Sequence, residues 1–425
     1  MGIRSILGGV EIKETGWIVE TRPSVASGEG FTPNRTLSQA VLSSGDLITY
    51  TSTMTGYVLT RFNYYGNIVF AKGMGLGTYR MLSGKLAVDA ADNIYTVSTI
   101  DNPSYPLRDI SLRKYDSSGT FLWEKLINST DNDGENGFKI INGYIYIILS
   151  SSVYSLLKLD LDGNFQFIKR FTLAGGSGRP VAFHINSNNV LLLGYAIYNT
   201  SYATDNAGWV TFNLNNNSYM SSVRYTSSST MIINQMHIDD SSTIYIAAKI
   251  GIATILKYNS GGALVWRKGI IPQTSSAYDI SITSSHIYVS GNWPNTANSG
   301  FEVSKYTFAG VFVSRLSFGV PSNYTFYPVI NVLASEVMYA SCISNNYQCV
   351  VKGRMGNALF TGGGAPLEWA VSVGPAGEGT STAQAPTVSS PGGHTIVAGT
   401  APTITTTTTV SMVDMALRKW TKILY

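Results

Sequence analysis

The chain has 425 residues, of which 44% are hydrophobic and only 13% charged, with 29 Lys and Arg against 25 Asp and Glu and a net charge of +4. That is enough apolar material for a packed core with about half the usual share of charge. The basic residues are scattered with no Lys/Arg run, which argues against a nucleic-acid partner.

Residues 1 to 13 form an N-terminal arm, MGIRSILGGVEIK, too short in its apolar patch for a secretory signal. Nowhere do eighteen apolar residues run together, so no membrane span is expected. The segment ETGWIVETRP at 14 to 23, with Trp17, reads as an isolated strand. From there the chain repeats. LTRFNYYGNIVFAK at 59 to 72 is followed by LRKYDSSGTFLWEK at 112 to 125 and LLKLDLDGNFQFIK at 156 to 169. ILKYNSGGALVWRK at 255 to 268 and VSKYTFAGVFVSRL at 303 to 316 continue the series, and LRKWT at 417 to 421 is a shortened copy. Copies about 45 to 55 residues apart, each holding several strands, fit propeller blades rather than a helical solenoid.

Each unit opens on a short apolar strand and continues into one with an Ile-Tyr pair, at Ile94-Tyr95, Ile145-Tyr146, Ile244-Tyr245 and Ile287-Tyr288. The third strand is the L-x-K-Y motif, and the D/N-x-x-G after it is a turn whose Gly supplies positive φ. A fourth strand carries Phe70, Trp123, Phe167 or Trp266. First strands fall near Leu37, Lys85, Gly137, Val181, Ile232, Tyr278, Phe326 and Gln384. The expected fold is therefore all-β, a single β-propeller over 14 to 425 of about eight four-stranded blades, with seven as the alternative. The eighth unit would have strands near 385 to 389, 394 to 398 and 413 to 420, and the strand at 14 to 23 would complete it, pairing Trp17 and Trp420 in structural closure. The stretches 358 to 366 and 400 to 410 are predicted as loop insertions of late blades.

The run D-x-x-x-N-I-Y-T-V-S at 89 to 98, followed by L-R-K-Y-D-S-S-G-T-F-L-W, resembles the bacterial SBBP-type propeller repeat and, more loosely, PQQ-like propellers. The resemblance covers most of the chain and implies the fold, while the propeller scaffold hosts many activities. Features of a PQQ enzyme are missing from the sequence, which has no Cys-Cys pair and no acidic cluster matched to a metal-bound quinone, and no cofactor is expected.

Candidate sites are few. The recurring cation of the third strand, Arg61, Lys114, Lys158, Lys257, Lys305, Lys352 and Lys419, reads as a side chain packed between blades with its charge reaching outward. His184 and His237 end inner strands of adjacent blades and are candidate metal ligands with Asp239 or Asp240. DNDGEN at 131 to 136 offers Asp131, Asp133 and Glu135 as a calcium loop, with an ordinary turn as the alternative. Cys342 and Cys349 face each other if Asn345-Asn346 is a hairpin turn, bonded or as free thiols. No G-x-S-x-G elbow and no assignable carboxylate pair points to a hydrolase. With a surface of Ser, Thr, Asn, Gly and Tyr, the expectation is a non-enzymatic structural or interaction protein. It would be a bacteriophage virion component (tail, collar, fibre or decoration protein) that binds other virion proteins or itself as a homo-oligomer, and a host-surface glycan. The alternatives are an extracellular or cell-surface lectin-like propeller and a carbohydrate-active enzyme with its site at the channel mouth.

Overall fold

The computed structural model describes residues 16–23, 33–53, 56–75, 80–101, 108–128, 134–150, 154–172, 178–198, 204–226, 231–250, 252–269, 276–294, 299–320, 328–333, 337–344 and 347–354, and six short strands between 371 and 424. All of it is strand and turn, and no helix among the described residues is long and apolar enough to cross a membrane. Seven antiparallel four-stranded blades stand in a ring, a seven-bladed β-propeller. The inner strands of blades 1 to 7 are Pro33–Val41, Arg80–Val88, Gly134–Ile141, Gly178–Ile185, Met231–Ile238, Ser276–Ile282 and Val329–Val332.

The repeat motifs explain the stacking. Successive residues of a strand face opposite sides of the sheet, so the Ile-Tyr pair serves two interfaces. Ile94 packs with Tyr50, Leu59 and Tyr115 between blades 1 and 2, while Tyr95 packs with Ile147 and Leu157 between blades 2 and 3. Ile244 and Tyr245 divide in the same way between the blade 4–5 and blade 5–6 cores. At roughly 1.5–3 kcal/mol for each large apolar side chain removed from water, these interfaces dominate the stability of the ring.

The D-x-x-G turns are built as their residue types require. Asp116 Oδ1 accepts from the amides of Ser118 and Thr120, the Gly119 amide donates to the Asp116 carbonyl, and Gly119 has φ of 79°. A β carbon on Gly119 would stand 2.8 Å from the Phe70 ring of the preceding blade. The fourth-strand aromatic and the Gly of the next turn are thus two halves of one contact. The same pairing joins Trp266 to Gly310.

Of the two blade counts open in the sequence, seven is found, and the eighth unit is a correction. Gly16–Pro23 is the fourth strand of blade 7, where it pairs with Tyr347–Arg354. The segments placed in an eighth blade, near 385 to 389, 394 to 398 and 413 to 420, are instead fifth strands on the outer edges of other blades, together with two further short strands. Val371–Gly374 pairs with blade 6, Thr387–Ser389 with blade 4, Thr395–Ala398 with blade 3, Thr403–Thr407 with blade 2 and Val413–Asp414 with blade 1. Leu417–Leu424 then pairs with Gly16–Pro23 on blade 7. The described C-terminal strands therefore follow the rim as a belt, against the order of the blades. Residues 403 to 407, predicted within a loop insertion, are one of its strands. The physical reason is edge satisfaction: an outer strand leaves unpaired N–H and C=O groups that a short β-branched segment such as TITTT can cover. Residues 358 to 366 lie outside the described residues.

Candidate functional site in the axial channel

Inner-strand side chains alternate between the blade and the axis. Strand register places one channel rung at Ala40, Ala87, Lys139, His184, His237, Ser281 and Asn331, each opposite the second-strand residue that aligns with Tyr95. Two residues earlier lies a second rung with Ser38, Lys85, Gln235 and Asp279, facing Tyr50, Val97, Ala247 and Ser290. These polar side chains line a cavity of about 790 Å³.

Several of them hold the ring together. Ser38 Oγ accepts from the Leu86 amide of blade 2 at 3.0 Å, and Ser281 Oγ accepts from the Val332 amide of blade 7 at 3.2 Å. Asp279 accepts from the amides of Ile280 and Ile330, both at 2.9 Å. Gln39 donates to the carbonyls of Val329 and Tyr339, fastening blade 1 to blade 7.

The remainder form a polar group. Lys139 Nζ lies 3.2 Å from Nδ1 of His184, and the rings of His184 and His237 are 4.3 Å apart between centroids. An ammonium has only protons to give, so His184 Nδ1 accepts and Nε2 carries the ring proton. Burial, with the Lys139 charge second, holds His184 well below the usual imidazole range and His237 down at about 4. Burial likewise lowers Lys139 to about 8, an effect opposed by Asp279 and reinforced by the neighbouring charge of Lys85. Burial raises Asp279 to about 6 against the pull of its two backbone amides. At neutral pH this leaves Lys139 an ammonium, Asp279 a carboxylate and both imidazoles uncharged.

The structure brings His184 and His237 together but keeps the carboxylates named with them in turns. Asp239 Oδ1 accepts from Ser241 Oγ and the Thr243 amide, and Asp240 Oδ1 accepts from the amide and hydroxyl of Ser187 in blade 4. Those Ser187 bonds hold the Asp240 carboxyl below the usual range. Among the described residues no three His, Cys, Asp or Glu side chains converge as a metal site. Asp131 and Asp133 lie outside the described residues, as does the side chain of Glu135. Trp17 is paired by backbone with Lys352 and Ile423, and Trp420 with Glu20, their side chains being outside the described set. Cys342 and Cys349 are directly opposite in register.

The sequence reading did not single out Lys85, Lys139, Gln235 or Asp279. The available signal was a charged or amide residue at the axis-facing position of a short inner strand, as in SGKLAV and GFKII.

The third-strand cations have a specific role. Arg61 donates to the Ser117 carbonyl, Lys114 to that of Leu161, Lys257 to that of Phe308 and Lys352 to that of Tyr64. Each acceptor is the second residue of the D/N-x-x-G-type turn in the following blade, so blade 7 is bolted to blade 1 as blade 1 is to blade 2.

No family model matches the chain, and no curated protein does. Solved structures similar to it include a protein of unknown function from Bacteroides caccae, at 11% identity and TM-score 0.43, covering 70% of this chain and 92% of that one. A structure of BBS1N in complex with ARL6DN is similar at 9% identity and TM-score 0.46, covering 79% and 98%. A protein of unknown function from Dyadobacter fermentans is similar at 10% identity and TM-score 0.42, again covering 79% and 98%.

Proposed function

We propose that this chain is a non-enzymatic structural and interaction protein, a bacteriophage virion component that docks neighbouring subunits around its rim. The observation that carries the reading is a repeated apolar bulge. In each of blades 1, 2, 4, 5 and 6 the register between third and fourth strands shifts near the start of the fourth strand. The extra residue at each shift is Val69, Leu122, Met220, Val265 or Val313, and each is 43 to 53% exposed. Bulges re-aim side chains, and exposed apolar groups repeated at one level of a ring favour protein contact over solvation. A surface poor in charge fits an assembled protein better than a freely soluble one.

The test is mass spectrometry and negative-stain imaging of purified native particles. Presence at a symmetric copy number supports the reading; recovery only as a free chain sinks it. A lectin-like surface propeller is the second reading, favoured by Tyr65 and Tyr219, 53% and 42% exposed and available to stack on sugar rings. An enzyme acting on sugars by paired carboxylates fits less well, since Asp279 is the one acidic side chain lining the channel among the described residues.

A further inference from the structure

We propose that the axial channel is a binding site for a small oxyanion, a carboxylate or a phosphate, held by Lys85 and Lys139 with the ring N–H of His184. The inference is independent of the docking role above.

Lys85 and Lys139 come from the inner strands of adjacent blades and line the same cavity. The charge of Lys85 raises the cost of charge on Lys139. Like charges brought together in a partly desolvated space are unfavourable unless a counter-ion sits between them. The channel offers Asp279, but its oxygens already accept from the amides of Ile280 and Ile330. It is a clamp between blades 6 and 7 whose charge also acts on Lys139, so the channel sets one carboxylate against two lysines. Lys85 makes no hydrogen bond or ion pair among the described residues. Lys139 spends one proton on His184 and keeps two. His184, with Nδ1 accepting, has its Nε2 proton to donate. These three donors outnumber the single carboxylate lining the channel among the described residues, Asp279, which suits an oxyanion better than a cation. A volume of about 790 Å³ admits a small organic anion as readily as an inorganic one.

The pH dependence follows from every titratable group facing the channel. Lys139 loses its proton as pH rises through about 8, so affinity falls there, at a somewhat higher pH once an anion stabilises the charged form. Asp279 becomes neutral as pH falls through about 6, which removes a repulsion and strengthens binding. His237 stays neutral above about 4, and His184 is held well below the usual imidazole range by burial, so neither adds charge in that window.

The experiment is calorimetric titration of the full chain with sodium phosphate, acetate and succinate, against sodium chloride at equal ionic strength, at pH 6.5 and 9. One saturable site per chain is expected at pH 6.5, much weakened at pH 9. Lys85→Gln and Lys139→Gln should each weaken it about tenfold, the equivalent of one charge-assisted hydrogen bond. Lys268→Gln, on the rim, should leave it unchanged. Tighter phosphate supports a phosphorylated ligand, and tighter acetate or succinate supports a carboxylate; either supports the site. Should Lys139→Gln fail to fold, Lys85→Gln and the pH dependence of the intact protein decide. No saturable site for any of the three anions overturns the proposal, as does binding equally tight in the folded lysine variants.

Discussion

The Lys114 ammonium and the Tyr95 hydroxyl, cross-strand neighbours in blade 2, both lie 3.1 Å from one atom, the carbonyl oxygen of Leu161 in blade 3. In blade 5 the same convergence brings Lys257 Nζ and Trp266 Nε1 to the carbonyl of Phe308, at 2.9 and 3.2 Å. This carbonyl is left unused by the turn's own hydrogen bonds, in which Gly163 donates to Asp160 and Gly310 to Thr307. The repeated cation and the repeated turn are therefore one device, joined by Tyr95 in blade 2 and by Trp266 in blade 5, satisfying a partly buried acceptor with donors from the preceding blade.

A double-mutant cycle tests the device. Lys114→Met and Tyr95→Phe should each cost about 1.5–3 kcal/mol, the ordinary value for hydrogen bonds to charged groups, since the single Tyr95 hydroxyl proton is shared between Leu161 and the Asp89 carboxylate 3.0 Å away. Tyr95→Phe leaves Leu161 the Lys114 donor, Lys114→Met leaves it only the proton Tyr95 shares with Asp89, and the double variant leaves no donor among the described residues. The pair should thus cost more than the sum by at least about 0.5 kcal/mol in denaturant unfolding. Strict additivity would show that the shared carbonyl is satisfied some other way.

Two glycine substitutions separate backbone strain from packing. Gly119 and Gly143 have nearly the same φ, 79° and 74°, but a β carbon on Gly119 meets Phe70 at 2.8 Å while one on Gly143 meets nothing within 4 Å. Gly143→Ala should cost only the left-handed penalty of about 1–2 kcal/mol. Gly119→Ala adds an overpacking cost of about 1–3 kcal/mol, because the ring above it belongs to another blade. Equal losses for the two in urea melts would mean that the Phe70 contact contributes nothing.

What was legible in the sequence was whatever is decided locally or by repetition. Ile94-Tyr95 and its copies announce strands buried on both faces, and D-S-S-G announces a turn. The blade count was harder because LRKWT at 417 to 421 mimics a third strand, while which edge a strand pairs with is not written in the strand itself. Thr403–Thr407 reads as a strand or a polar loop with equal ease, and only its position against Phe121–Asn128 makes it part of a belt. In the channel, His184 and His237 were found by their equivalent positions. Lys85 and Lys139 sit in different rungs of neighbouring blades, and their proximity exists only once the ring is closed.

Truncations from the two ends should behave differently. Deleting residues 1 to 23 removes a strand laddered on both sides, to Tyr347–Arg354 and to Leu417–Leu424. It leaves blade 7 with three strands and should cost on the order of 5–10 kcal/mol at ordinary hydrogen-bond values. Deleting residues 371 to 425 removes outer strands only and keeps every four-stranded blade, so the melting temperature should fall less. The bared edges should instead drive self-association, visible in light scattering after size exclusion. An unchanged melting temperature without residues 1 to 23 would contradict closure by that strand.

Glu302 gives the fold a pH-dependent weakness. It lies 2% exposed in the third strand of blade 6, its Oε2 is 3.8 Å from Arg315, and its Oε1 has no hydrogen-bond partner. In blade 2 a comparable pair is far better made, with Arg113 Nε and Ser111 Oγ both donating to Glu124 Oε1 at 2.7 and 2.6 Å. Burial pushes the Glu302 carboxyl up to about 7, with Arg315 only partly opposing it. An acid whose folded pKa lies above its unfolded value binds its proton more tightly when folded, so its contribution favours the fold below about pH 4.5 and is lost as pH rises to about 7. A shift of that size corresponds to about 3 kcal/mol across the window. Glu302→Gln, which keeps shape and removes the charge, should flatten this part of the profile and be more stable than the native chain at pH 8 relative to pH 4.5. Unfolding curves for the two proteins at half-unit intervals make the comparison, and parallel profiles would show that Glu302 is ionised at no cost inside the blade.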